Sequence, residues 1–199
     1  MLSKSKKHGK IFVISGSSGS GKTTLLTLAL KKKECKGKVL KVTTVTTRKR
    51  RAQEINGKDY QFVGRDEFLS RKRRGEFIES QRIYGDYYGS PTEGLRKILE
   101  EGHDALLCID VKGALTLKRI FPKRAVLIFI MVPNIEKLRE RLSLRLSESN
   151  ESLQKRLQIA NKELRAARHY DYVIVNDILK EAVKKLSAVL VAEKVRPGA

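Results

Sequence analysis

The sequence predicts a three-layer α/β domain built on a parallel β-sheet, and three observations carry that reading. The apolar β-rich runs Ile11–Ser15, Val39–Val42, Ala105–Ile109, Val126–Val132 and Tyr172–Val175 are short and lack polar alternation, as parallel strands buried on both faces do. Helical patterns separate most of them, which is the βα rhythm of right-handed crossover units. The chain has 199 residues, about one domain's worth, enough to bury a sizeable core without covalent staples.

Taken in order, Ile11–Ser15 opens the sheet and Lys22–Lys33 follows as a helix. Residues 43–91 then break the rhythm. They hold short aromatic strand candidates (Asp59–Val63, Phe77–Ser80, Tyr87–Gly89), one short helix (Asp66–Arg73) and several glycine turns. This stretch is expected to be an inserted subdomain of small antiparallel strands. The βα rhythm resumes with helices at Thr92–Glu101, Gly113–Ile120, Asn134–Leu146, Asn150–Arg168 and Ile178–Glu193. The helix at 150–168 carries Leu153, Leu157, Ala160, Leu164 and Ala167 as an apolar stripe at helical spacing. Asn134, after Pro133, and Ser149 or Asn150 are candidate N-caps. The expected division is a core of 10–42 and 92–194, the insertion 43–91, a lid at about 141–156 and a basic tail at 1–9.

Composition excludes several classes. The longest apolar run, Ala125–Val132, is far short of the ~18 residues of a membrane span, and the apolar stretch after the basic N-terminus is too short for a signal peptide. Two cysteines, Cys35 and Cys108, make no disulfide framework, and no His/Cys spacing suggests zinc. A reducing, cytoplasmic compartment is expected. Forty-three Lys and Arg against twenty-two Asp and Glu leave a net charge of +21, which favours anionic partners. The excess is spread over several segments and reads mainly as a solvated face. Nucleic acid is compatible with it but not required, since no RRM, KH or Arg/Gly signature is present.

Directly after the first strand stand Gly16, Ser17, Ser18, Gly19, Ser20, Gly21, Lys22 and Thr23, followed by Thr24 and an apolar helix. This is G-x-x-x-x-G-K-[ST] in the strand–loop–helix setting its chemistry needs. Glycines let backbone N–H groups turn toward phosphate oxygens, and the helix N-terminus adds the positive end of its dipole. Lys22 is expected to reach the β- and γ-phosphates of ATP, and the Thr23 hydroxyl to ligate Mg²⁺. The domain is therefore expected to be P-loop NTPase-like.

The insertion contains Thr43–Arg48, Arg51, Glu54, Gly57, Asp59, Tyr60 and Phe62, then Phe77–Glu79 and Tyr87–Gly89; later come Ile109, Asp110 and Gly113, and Ile174–Asp177. Arginines and tyrosine hydroxyls grouped in a small β-subdomain suit a second phosphate near the first. From about Lys10 to Lys194 this ordered set resembles guanylate kinase, a nucleoside-monophosphate kinase. The resemblance implies transfer of the γ-phosphoryl of ATP to GMP (with dGMP as a related acceptor), Mg²⁺ as cofactor and a monomer or homodimer. It implies that Arg48, Arg51, Tyr60 and Tyr88 hold the GMP phosphate, and that Thr44, Glu79, Ser90 and Asp110 contact guanine or its surroundings. It also implies that Arg141, Arg145 and Arg156 belong to a lid over ATP and that Asn176 lies near adenine. Arg141 and Arg145 are four residues apart, off the Ile135/Leu138/Leu142 stripe, so they share one helix face.

The sequence departs from the family pattern in four places. Cys108 stands where an acid is usual, two residues before Asp110; Gln53 replaces a Gly, Arg50 a Pro and Leu146 a lid Gly. The rival readings are a catalytically silent binding module, an RNA-binding protein and a P-loop kinase with another phosphorylated acceptor. The intact Lys22/Thr23 loop argues against the first.

Overall fold

The computed structural model describes residues 9–143, 158 and 164–196. Strands β1 (Ile11–Ser15), β2 (Val39–Lys41), β7 (Asp104–Cys108), β8 (Ala125–Met131) and β9 (Tyr172–Val175) form a parallel sheet in the order β2-β7-β1-β8-β9. All five residues of β1 are buried, because the strand is central and covered on both faces. Phe12 and Ile14 face a layer containing α1 (Lys22–Leu30) and α6 (Leu179–Ala192), with Leu25, Ala29, Leu186 and Leu190 in that core. Ile11 and Val13 face the opposite layer, with Leu95 of α3 (Thr92–Glu100) and Ala114 and Leu117 of α4 (Val111–Ile120). This period-two division of apolar side chains makes the three layers.

A second sheet is formed by β3 (Val45–Thr46), β4 (Gln61–Phe62), β5 (Phe77–Ile83) and β6 (Asp86–Pro91), in the order β4-β3-β6-β5. It carries α2 (Arg65–Arg73), whose Phe68 is fully buried and stacks on Phe77 and Tyr87. The sheet is mixed: β3 pairs parallel with β4 and antiparallel with β6. The sequence reading missed β3, which is only two residues long, and made β5 and β6 too short. Those strands continue to a two-residue turn at Tyr84 and Gly85, with φ of 51° and 91°. Positive φ at both positions defines a type I′ hairpin turn, and Tyr84 is a residue type that gives no warning of one.

Helix α5 (Ile135–Ser143) starts as expected, with the Asn134 side chain accepting from the Lys137 N–H at 2.8 Å. Leu138 and Leu142 are its buried stripe. The lid tip, the candidate caps Ser149 and Asn150, most of the 150–168 stripe, and Arg145 and Arg156 lie outside the described residues. Lys31, Lys32, Lys33, Lys36 and Lys38 are exposed beyond α1 and make no ion pair among the described residues, so part of the excess charge is a solvated face. No helix among those residues is long and apolar enough to cross a membrane.

Candidate active site

The loop after β1 turns where only glycine fits. Gly16 has φ +144°, and a Cβ there would lie 2.0 Å from the Ile130 carbonyl oxygen of neighbouring β8. Lys22, the first residue of α1, folds its ammonium back into the loop, donating to the Gly16 and Ser17 carbonyls at 2.5 and 2.8 Å. No acidic residue occupies the first turn of α1, so its N-terminal dipole stays open to an anion. Asn176, at the end of β9, braces the loop from behind: its amide donates to the Ser20 carbonyl at 2.8 Å.

A cavity of about 740 Å³ lies between this loop and the second sheet. Gly16, Ser18, Gly19, Gly21, Lys22 and Thr23 line it from the core, and Thr44, Arg48, Arg51, Tyr60, Glu79, Tyr88, Cys108 and Asp110 also contribute to its wall. Ser17 and Ser20 are buried within the loop, and Ser90 is fully buried behind Glu79. A smaller cavity of about 320 Å³ is lined by Thr24, Arg141, Asn176 and Asp177 among others. There the Arg141 guanidinium donates to the Asn176 carbonyl at 3.0 Å. The structure thus gathers the P-loop and insertion residues around one space, and sets Thr24, Arg141 and Asn176 around a second beside it.

A guanylate kinase family model matches residues 8–193. The chain belongs to the guanylate kinase family. It is similar to a guanylate kinase of Caldanaerobacter subterraneus, 43% identical over 192 residues that cover 96% of this chain and 91% of that protein. A guanylate kinase of Thermus thermophilus is 41% identical over 96% of this chain and 84% of its own. Among solved structures, guanylate kinase from Anaplasma phagocytophilum superposes with a TM-score of 0.80 at 35% identity, covering 96% of this chain and 88% of that one.

Within this guanylate kinase fold the insertion side of the cavity is organised by Glu54, a residue whose role the sequence alone does not reveal. Its carboxylate accepts from the Arg48 guanidinium at 2.7 Å and from the Arg51 backbone N–H at 2.8 Å. The Arg48 guanidinium also lies over the Tyr60 and Phe62 rings, 5.5 and 5.7 Å from their centroids. Burial works against its charge, but the Glu54 carboxylate and the Tyr88 hydroxyl outweigh that, holding Arg48 above its ordinary value. Burial likewise keeps the Tyr60 hydroxyl protonated far into the alkaline range.

At the other end, Glu79 is only 6% exposed. Burial, reinforced by the Asp110 charge, pushes its carboxyl up to about 7, against the stabilising hydrogen bonds from Ser90. Asp110 caps α4, accepting from the Gly113 N–H at 3.0 Å, and burial raises it too. Gly113 explains the spacing of that turn, because a Cβ there would lie 2.6 Å from a Glu79 oxygen. Cys108 ends β7 on the cavity wall, where burial raises its thiol while the Lys22 and Lys41 charges pull it down. Arg82 and Tyr84 also line the cavity, unanticipated because hairpin length and turn type brought them there, and Lys112 joins them from the first turn of α4.

Proposed function

We propose that the chain transfers the γ-phosphoryl group of ATP to GMP, giving ADP and GDP. The observation that carries this reading is one cavity lined by both an intact phosphate loop and a buried carboxylate, with paired arginines between. ATP phosphates would lie on the N–H groups of Gly16–Thr23, with Lys22 leaving its carbonyl partners for phosphate oxygens. Arg48, Arg51, Tyr60 and Tyr88 would hold the acceptor phosphate. Glu79, backed by Ser90 and with Thr44 and Asp110 beside it, would accept the N1–H and N2–H donors of guanine. Asn176 would border adenine, and Arg141, Arg145 and Arg156 would belong to the lid over ATP.

The acceptor oxygen is already ionised at neutral pH, so no general base is required. Catalysis then rests on positioning an in-line transfer and on cations placed where charge spreads. The donor set suits Mg²⁺: Thr23 offers a hydroxyl on the cavity wall, and Mg²⁺ normally completes its shell with phosphates and water. When bound, it would neutralise charge between the β- and γ-phosphates. Cys108 supplies no carboxylate there, and the Asp110 carboxylate is committed to the α4 cap. Two free cysteines suit the cytoplasm proposed as its compartment.

A coupled assay of ADP formation across GMP, dGMP, AMP, CMP and UMP tests the reading. Turnover confined to guanine acceptors is expected. An absence of GMP-stimulated ADP release at saturating Mg²⁺ would favour the silent binding module.

A further inference from the structure

We propose that Lys41 is a positioning residue for the acceptor phosphate, pinning the Tyr60 peptide of the insertion to the edge strand of the central sheet. The inference rests on the GMP kinase reading above and adds a residue to it.

Lys41 is the last residue of β2, a strand held to β7 within the core. Its ammonium reaches across to the insertion and, among the described residues, makes no ion pair with a carboxylate. It donates to the Asp59 carbonyl at 2.7 Å and the Lys58 carbonyl at 3.3 Å. The Asp59 carbonyl belongs to the peptide that carries Tyr60, so this bond fixes that residue's backbone. The same ammonium lies 5.6 Å from the Tyr60 ring centroid, and the Arg48 guanidinium lies 5.5 Å from it. Tyr60 in turn meets Tyr88 edge-on, with centroids 6.2 Å apart. Two groups assigned to the acceptor phosphate, Arg48 and Tyr88, therefore converge on the ring of a third, Tyr60, and Lys41 holds the backbone of that residue from the core.

The other ties of this turn arise outside the central sheet. Thr43 donates to the Gly57 carbonyl at 3.4 Å, and the Gln61 N–H donates to the Thr44 carbonyl at 2.9 Å. Removing Lys41 leaves these local bonds in place but frees the turn from the sheet that carries the phosphate loop. Charge acts in the same direction. The Arg48 charge is offset by Glu54, and the nearby Asp59 carboxylate is taken by the Ile55 N–H at 2.8 Å. The hydrogen-bond partners of Lys41 are neutral carbonyls and the Asp59 and Glu54 carboxylates act on it only through space, so its ammonium can add positive potential at a phosphate next to Tyr60.

The test compares wild type, Lys41→Met and Lys41→Arg by steady-state kinetics, with guanosine as a competitive inhibitor lacking the phosphate. Lys41→Met should raise the KM for GMP at least about tenfold, leave the KM for ATP and the inhibition constant of guanosine within about twofold, and fold with a near-normal Tm. Lys41→Arg should recover much of the GMP affinity, since a guanidinium can donate to the same carbonyls. An unchanged KM for GMP, or an equal loss for GMP and guanosine, would overturn the proposal, the latter making Lys41 a general prop. Wild type that fails to phosphorylate GMP sinks the functional reading and this inference with it. Active wild type beside an unaffected Lys41→Met sinks the inference alone.

Discussion

Ser90 donates a 2.6 Å hydrogen bond to the Glu79 carboxylate across the β5–β6 pair, where the two residues are register partners. The hydrogen bonds from Ser90 do not compensate a carboxylate that is 6% exposed and faces Asp110, so Glu79 holds its proton up to about pH 7. The folded value lies above the unfolded one, so the folded state binds the extra proton between pH 4.5 and 7. Stability should therefore fall as pH rises through that window, by about 3 kcal/mol from this group alone. If Glu79 reads guanine as proposed, guanosine binds the ionised carboxylate, so its inhibition constant should fall as pH rises and level off above about 7. Guanosine is the right probe because it has no phosphate to titrate. A flat profile from pH 5.5 to 8.5 would contradict the assignment.

Glu79→Gln keeps the size of the side chain but exchanges an acceptor for a donor. The KM for GMP should rise and kcat/KM fall by at least about tenfold, roughly 1.4 kcal/mol, with little change in the KM for ATP. The same variant removes a buried ionisable group. Its Tm at pH 8 should therefore exceed wild type by a few degrees in a thermal melt. Retained kcat/KM would mean that Glu79 does not read the base.

Glu54→Gln should act on the phosphate and not the base. The ion pair with Arg48 is well shielded, with both side chains about 15% exposed, so its loss leaves the guanidinium poorly held. The KM for GMP should rise about tenfold or more while guanosine inhibition stays unchanged. Isothermal titration with both ligands reads the difference directly.

Cys108→Asp should lower the Mg²⁺ concentration needed for half-maximal rate. It places a carboxylate on the cavity wall within reach of the Lys22 charge, near where Thr23 would hold the ion. A Mg²⁺ titration of initial rates checks this, and an unchanged or higher requirement would show that the missing acid is compensated elsewhere.

Lys22→Ala should lower kcat by at least about 100-fold, because it removes a cation from the transferring phosphates. The side chain bonds two loop carbonyls and packs into no apolar core, so circular dichroism should report an intact fold.

How far the sequence reaches follows from the range of the interactions involved. The five strands of the central sheet were legible because they are short apolar runs, buried on both faces in β1 and largely so in β7 and β8, and Ile11–Ser15 and Tyr172–Val175 end where the structure ends them, although Val173 and Val175 of the edge strand are exposed. The phosphate loop was legible because backbone turns that cradle an anion restrict residue type locally. The two-residue strand β3 was not, since Val45 and Thr46 become a strand only by pairing with Gly89 and Tyr88, more than forty residues away. Nor was the turn at Tyr84 and Gly85, where tertiary register imposes positive φ on a tyrosine. The sequence by itself determined the layers, the loop and the identity of the acidic and basic groups. Only the tertiary structure decided which charges meet: Glu54 on Arg48, Lys41 on the Tyr60 peptide, and Asp110 close enough to help keep Glu79 protonated. The physical reason is that burial patterns repeat along the chain and can be read from it, whereas the energy of a buried charge depends on partners that folding brings from distant positions.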